Sequence, residues 1–286
     1  MSPHGATDPS MVAVRAALLD ALEALADHLD DVVVIGAQAV YLHAGGVDVA
    51  IAESTTDADV AIDPRDLSGT PLIEGAMRAA GFTPAPSGQP GSWMSPRGIE
   101  VDLMVPEALA GAGSRGARGA RIPPHSRRAT RRAVGLEAAV VDCTPMTVRA
   151  LDPEDTRSEV VQVAGPAALM VAKLHKIGER AAEEPRRLVD KDAHDVYRLL
   201  RALETETLRT GFTGLLEHPL SGPVTRGALD YLDEHFARGS DRLGSTMAGR
   251  AEIGVGDPAQ VAASVAALAE DLIEAMDWRN ARKERP

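Results

Sequence analysis

From residue 10 to about residue 30, apolar Met11, Val14, Leu18, Leu22 and Leu25 recur at steps of three and four, which predicts a helix with one apolar face, capped by Ser10 or Asp8. An unbroken apolar run over 32–35 follows, as in a strand buried on both faces. Residues 36–44 read as a short helix ended by Gly45-Gly46, and 47–56 as a loop. A second strand is expected over 57–62, stopped by Asp63-Pro64, then a helix over 72–80 closed by Gly81 and a short strand over 92–94. In 98–104, Ile99, Val101 and Leu103 alternate with Glu100 and Asp102, the period of a strand with two unlike faces. Further strands are predicted at 138–142 and 160–163.

Beyond Gly165 the period becomes helical and stays so. Pro166 opens a helix over 166–183, where its missing N–H costs nothing, with Leu169, Met170, Leu174 and Ile177 on one side. Another is expected over 186–203, with Leu188, Val196, Leu199 and Leu200 inward, and three more at 207–216, 223–237 and 258–278. The pattern predicts an α+β protein: residues 10–155 form a mixed sheet with flanking helices, and residues 165–286 form a helical domain.

Composition narrows this picture. At 286 residues and 44% hydrophobic content the chain can bury one large core or two modest ones. Aromatic residues are only 3%, so platforms for stacking single-stranded bases are scarce. A net charge of -12 argues against binding polyanions over the whole surface. The single cysteine, Cys143, excludes an internal disulfide and a cysteine-rich zinc site, and reads as a small apolar strand residue. No segment approaches the ~20 consecutive apolar residues of a membrane span, and residues 1–10 lack the basic and apolar regions of a signal peptide, so a cytoplasmic location without membrane partners is expected. One window departs from the acidic background. Residues 113–135 carry Arg115, Arg118, Arg121, Arg127, Arg128, Arg131 and Arg132 and no acid, and their glycines and prolines predict a long mobile loop. Such a loop either holds an RNA backbone through its phosphates or is an arginine-rich insertion with no ligand.

The candidate chemistry centres on the second strand. Asp57 and Asp59 point the same way, about 7 Å apart along a strand rising ~3.3 Å per residue, and repel each other unless a cation lies between them. Asp102, on the polar face of its strand, offers a third carboxylate that is costly unless paired or bound to a cation. Magnesium takes oxygen ligands and keeps several waters, so these carboxylates and nucleotide phosphates can complete its shell. Two ions would stabilise both the attacking and the leaving oxygen of an in-line displacement. Gly36, at the end of the first strand, opens backbone amides and a helix N-terminus to phosphate, although G-x-x-A is neither a dinucleotide fingerprint nor a P-loop. Thr55 and Thr56 supply either strand propensity or hydroxyls beside phosphate. Lys173, Lys176 and Arg180 share a helical face, and an antiparallel neighbour carrying Asp192 and Asp195 would bring Asp195 to Lys173 and hold the lysine for a triphosphate. His194-Asp195, with His175 and Asp230, also invites comparison with metal-dependent HD phosphohydrolases. His43, His125, His218 and His235 have no metal-ligand spacing and read as surface or polar-core residues. Together these residues suggest phosphoryl or nucleotidyl transfer.

Gly36 after a strand, Thr55-Thr56-Asp57-Ala58-Asp59, Asp102 in GIEVDLM, and then AKLHKIGER and DKDAHDVYRLL resemble, in that order, the AbiEii-type nucleotidyltransferases. These are toxins of type IV toxin–antitoxin and phage-defence systems, including the MenT group of mycobacterial toxins. The resemblance covers roughly residues 30–205. It implies a nucleotidyltransferase fold, a nucleoside triphosphate substrate, magnesium and a cognate antitoxin. By motif position, Asp57 and Asp59 are metal ligands, Asp102 is a third ligand or general base, Lys173 and Arg180 bind the triphosphate, and Asp195 is the aspartate of the helical domain. The implied acceptor is the 3' end of transfer RNA, with protein or small-molecule hydroxyls as alternatives, and a silent nucleotide- or antitoxin-binding module as a further one. The chain departs from the family in Gly36-Ala37, where G-G or G-S is usual, and in Glu53-Ser54, where an arginine is usual. Both departures bear on nucleotide choice more than on fold.

Overall fold

A computed structural model describes residues 9–45, 56–113 and 116–283; Asp8, Thr55 and Arg115 lie outside the described residues. The chain divides into two units. The first holds the described residues of 9–38, 56–133 and 144–163, and the second those of 39–45, 134–143 and 164–283. The sheet unit therefore runs past residue 155, and two short stretches of the first half belong with the helices.

In the sheet unit, α1 (Pro9–Ala24) buries Val14, Ala17, Leu18, Leu19 and Leu22 and packs on the sheet. Arg15 is buried with them and held by two hydrogen bonds: Nε donates to Gln38 Oε1 at 2.7 Å and Nη1 to the Arg149 carbonyl at 2.9 Å. The helix stops well short of residue 30. Asp27, Asp30 and Asp31 would crowd the negative end of its dipole, and the chain instead tightens into a 3-10 turn over Ala26–Asp31. Ser10 lies inside the first turn, past the cap position.

The strands are β1 (Val32–Ile35), β2 (Asp57–Ile62), β3 (Thr83–Pro84), β4 (Ser92–Met94), β5 (Glu100–Pro106), β6 (Arg131–Ala133), β7 (Cys143–Arg149) and β8 (Ser158–Ala164). They form one mixed sheet in the order β3-β4-β5-β2-β1-β8-β7, with β6 also on β5. β1 is wholly buried between antiparallel β2 and parallel β8, which explains its unbroken apolar run. The helix α2 (Gly36–Ala44) follows it directly, and α3 (Ile73–Ala79) precedes β3.

Two expectations are corrected here. Residues 138–142 form turns, with Val141 N and Asp142 N both donating to the Ala138 carbonyl, and the strand starts only at Cys143; alanines carry little β-propensity to oppose the turn. The arginine-rich window is corrected only at its end: its described residues up to 130 are irregular, as expected of a loop, and 131–133 then form a strand. β6 pairs in parallel with β5, Arg132 N donates to Arg118 O at 2.9 Å, and Trp93 Nε1 donates to Ala129 O at 3.0 Å. The small residues between the arginines, Ala120, Ile122, Ala129 and Thr130, are buried, and they anchor the segment.

The second unit contains α4 (Pro166–Glu183), α5 (Asp190–Ala202), α6 (Thr205–Glu217), α7 (Gly222–Leu232), α8 (Leu243–Arg250), α9 (Pro258–Ala275) and α10 (Trp278–Lys283). α7 runs into a π-helical turn, Asp233–Ala237, where Asp233 pairs with Arg238 at 2.5 Å and Arg279 at 2.8 Å. Asp257 caps α9, accepting from Ala259 N at 2.9 Å and Gln260 N at 3.2 Å, with Pro258 at the first helical position. The helix expected over 258–278 breaks at Asp277, whose φ of 47° is left-handed. α8 was not expected, because Gly244, Ser245 and Gly249 weaken its helical signal; tertiary packing against α5 and α9 overrides that.

One contact in this unit sets a pH dependence. His194 is buried and its Nε2 lies 2.5 Å from Glu252 Oε1. Burial pushes the His194 imidazolium below its ordinary range, against the opposing pull of Glu252. The folded value is then below the unfolded one, the unfolded chain binds the proton more readily, and stability falls as pH drops below about 6.5. In urea titrations between about pH 7 and pH 5.5, the wild-type midpoint is expected to fall further than that of His194→Gln. Equal slopes would remove His194 as the cause.

Candidate metal centre

The pairing register assembles the acidic group. β2 lies parallel to β5 with Asp59 opposite Asp102, and Asp57 stands two residues earlier on the same face of β2. Asp57, Asp59 and Asp102 each offer a carboxylate oxygen, and these oxygens all lie within 4.8 Å of one another. Asp57 and Asp59 are half-buried and Asp102 is 8% exposed. These are the three carboxylates that the sequence singled out, now gathered at one point.

Two further residues hold Asp102. Ser92 faces it across antiparallel β4 and donates its hydroxyl to Oδ1. Arg131, on β6, places Nη2 2.6 Å from Oδ2 and 3.1 Å from Met104 Sδ. Sequence reasoning missed Ser92 altogether and placed Arg131 among RNA-binding candidates, since neither register is visible along the chain. Three carboxylates gathered this closely repel one another, and a divalent cation is a natural complement. The donor set suits a hard cation. Oxygens on opposite sides of an ion with 2.0–2.1 Å bonds are about 4.2 Å apart, inside the 4.8 Å limit of this group.

Gly36 has a close-range role in this group. Its φ is 67°, and a Cβ at this position would collide with the Asp59 carboxylate. Glycine therefore lets β1 turn into α2 while Asp59 occupies the adjoining space. Gly36→Ala is expected to cost about 1–3 kcal/mol in backbone strain, plus the displacement of Asp59. A melting temperature equal to wild type would show that the turn tolerates a side chain. Thr56 is exposed just before β2.

The other predicted residues lie in the helical unit and form a buried ionic group. Lys173 Nζ is 2.7 Å from Asp195 Oδ2 and 3.0 Å from Asp192 Oδ1. The approach of Asp195 to Lys173 expected from helical spacing is thus observed. Lys176 Nζ lies 2.9 Å from Asp192 Oδ1, and Arg180 Nη1 lies 3.5 Å from Asp192 Oδ2 while donating to Arg187 O at 2.9 Å. Asp192 collects the most cations. Burial alone would raise its carboxyl, yet Lys173 and Lys176 outweigh this and hold it well below the usual carboxylate range.

His194 and Asp195 do not form an HD-type metal site with His175 and Asp230. His194 is bonded to Glu252, Asp195 to Lys173, and His175 Nε2 to Val224 O at 2.7 Å. Among the described residues, the group of acids and histidines able to hold a metal is the aspartate trio. The remaining histidines serve as polar-core or surface residues: His43 reaches Ala164 O at 2.9 Å, and His125, buried, accepts from Ile73 N and bonds Ser68 O. His218 accepts from Leu220 N, and His235 stacks on Tyr231. Cys143 is half-buried at the start of β7.

The arginines divide into two sets. Arg131 serves Asp102, and Arg132 pairs with Glu107 at 2.9 Å and donates to Gly111 O at 2.8 Å. Arg118, Arg121, Arg127 and Arg128 are exposed and line a common concavity.

Fold and site together define an α+β protein whose mixed sheet gathers three aspartates from two parallel neighbouring strands. No known protein-family model and no curated protein matches this sequence. No helix among the described residues is long and apolar enough to cross a membrane.

Proposed function

We propose that the chain is a metal-dependent nucleotidyltransferase. The observation that carries this reading is the convergence of Asp57, Asp59 and Asp102 within 4.8 Å, built on a glycine turn that packs against one of them. Asp57, Asp59 and Asp102 would hold magnesium, which when bound supplies positive charge to the triphosphate and the attacking oxygen. Ser92 and Arg131 fix the orientation of Asp102, and the glycine turn fixes Asp59. In the reaction an acceptor hydroxyl forms a bond to the α-phosphorus of a nucleoside triphosphate, the bond from that phosphorus to the bridging oxygen breaks, and pyrophosphate leaves. The hydroxyl proton passes to a carboxylate of the group. By the order of the motifs, Lys173 and Arg180, and separately Thr55 and Thr56, are the proposed triphosphate contacts.

The order of motifs supports a toxin of the AbiEii type acting on the transfer RNA 3' end and neutralised by an antitoxin, with protein or small-molecule hydroxyls as alternative acceptors. The test is label transfer from each α-labelled nucleoside triphosphate, with magnesium, to total transfer RNA and to total protein. Label on RNA that disappears when Asp57 and Asp59 are replaced supports the reading, and label on neither class sinks the RNA and protein acceptors together.

A second reading has one observation in its favour. Arg131 already gives Asp102 a cation at 2.6 Å, as a fold that had lost its metal would need. A catalytically silent module should then show no magnesium-dependent nucleotide heat in calorimetry, whereas the transferase should show it.

A further inference from the structure

The sheet unit carries an open concavity of about 540 Å³, lined by Arg118, Arg121, Arg127 and Arg128 together with Pro90, Gly113, Gly119 and two alanines. Among the described residues its lining contains no acid, no aromatic ring and no side-chain amide or hydroxyl. In a chain of net charge -12 this is a concentrated positive site. The segment is held in place from behind: Arg121 N donates to Ala110 O at 2.7 Å, Ala120 N to Thr130 O at 3.1 Å, and Gly91 N to Arg128 O at 2.9 Å. The guanidinium groups thus project from a built support. Arg128 Nη2 uses one donor on Gly88 O at 3.2 Å, while Arg118, Arg121 and Arg127 have no carboxylate partner among the described residues.

We infer that this concavity docks the phosphodiester backbone of a polynucleotide without reading its bases. Guanidinium forks match phosphate oxygens in paired hydrogen bonds, so the arginines suit phosphate. A site without rings or amides has nothing with which to stack or read bases, so recognition is independent of sequence. Four exposed guanidinium groups around an open hollow fit a run of phosphates better than one compact anion, which would need an enclosed cradle. The same segment leads to the acidic group. Arg128 lines the hollow and Arg131, three residues on, contacts Asp102, so their Cα atoms are at most about 11 Å apart. Docking of a polynucleotide here does not depend on the nucleotidyltransferase reading.

The experiment is fluorescence anisotropy of labelled oligouridylate and oligoadenylate of equal length against the full chain over a range of salt. Wild type should bind both alike, with a slope of log affinity against log salt of about -3 for four phosphates on a single strand. Arg118→Gln and Arg127→Gln, both exposed, should each lower the slope by about 0.7 and weaken both probes equally. Circular dichroism confirms that these variants fold. No binding at low salt, an unchanged slope in the variants, or inorganic triphosphate competing as well as RNA at equal phosphate would overturn the inference. An Asp57→Asn/Asp59→Asn chain should bind RNA like wild type. RNA binding without any transfer would sink the enzymatic reading alone, and RNA binding that is indifferent to the arginine variants would sink this one alone.

Discussion

Replacing Asp57 and Asp59 together by asparagine is expected to lower the proposed magnesium-dependent nucleotidyl transfer by about three orders of magnitude or more, while the melting temperature stays level or rises. The rate follows from the size of the metal contribution: several kcal/mol of transition-state stabilisation are at stake, and each 1.36 kcal/mol is tenfold. Stability should move the other way because three carboxylates with oxygens within 4.8 Å of one another repel in the folded protein and separate on unfolding. Asparagine keeps the shape and one acceptor oxygen, so packing on the Gly36 turn is preserved.

Asp102 supplies the internal control. Arg131 is bound to it at 2.6 Å and Ser92 donates to it, so Asp102→Asn removes the counter-ion of a largely buried arginine. That variant should lose both activity and stability. Thermal melts beside label transfer separate the cases. Full transfer in the double variant, or a fall in its melting temperature as large as that of Asp102→Asn, would show that Asp57 and Asp59 hold the sheet together rather than a cation.

The acidic trio was legible because its three members stand at strand positions whose alternation is written in the chain: Val32–Ile35 as a run, Asp57 and Asp59 two apart, Asp102 between Val101 and Leu103. Side-chain direction follows from period two whatever the partners are. What surrounds the trio was not legible, since Ser92 and Arg131 reach Asp102 only through pairings across 10 and 29 residues. The anchoring of the arginine window was not legible for a related reason. Its arginines signal solvent, while its few apolar residues, Ala120, Ile122 and Ala129, tie it down by facing inward. Lys173 and Asp195 were paired from helical spacing, yet the larger share of cations on Asp192 depends on how α4 and α5 face each other, and the His194–Glu252 contact spans 58 residues.

The buried ionic group of the helical unit gives the largest stability effect expected in the chain. Lys173 and Asp195 have side chains 9% and 2% exposed, 2.7 Å apart. Removing one member of such a pair strands the other charge in a medium that solvates it poorly, at a cost of about 3–5 kcal/mol. Lys173→Met should show that loss through Asp195, while Asp192 keeps Lys176 at 2.9 Å and Arg180 at 3.5 Å. Replacing both partners, Lys173→Met with Asp195→Leu, should recover most of the stability, because no charge is then left buried without its partner. Urea denaturation of the two single variants and the double variant measures the coupling directly. Nucleotide affinity supplies the second axis. A lysine held chiefly for a triphosphate would lose binding in Lys173→Met with little change in the urea midpoint, and Asp195→Leu alone would be nearly neutral. The ion-pair geometry predicts the reverse order for stability: both single variants low, the double variant close to wild type.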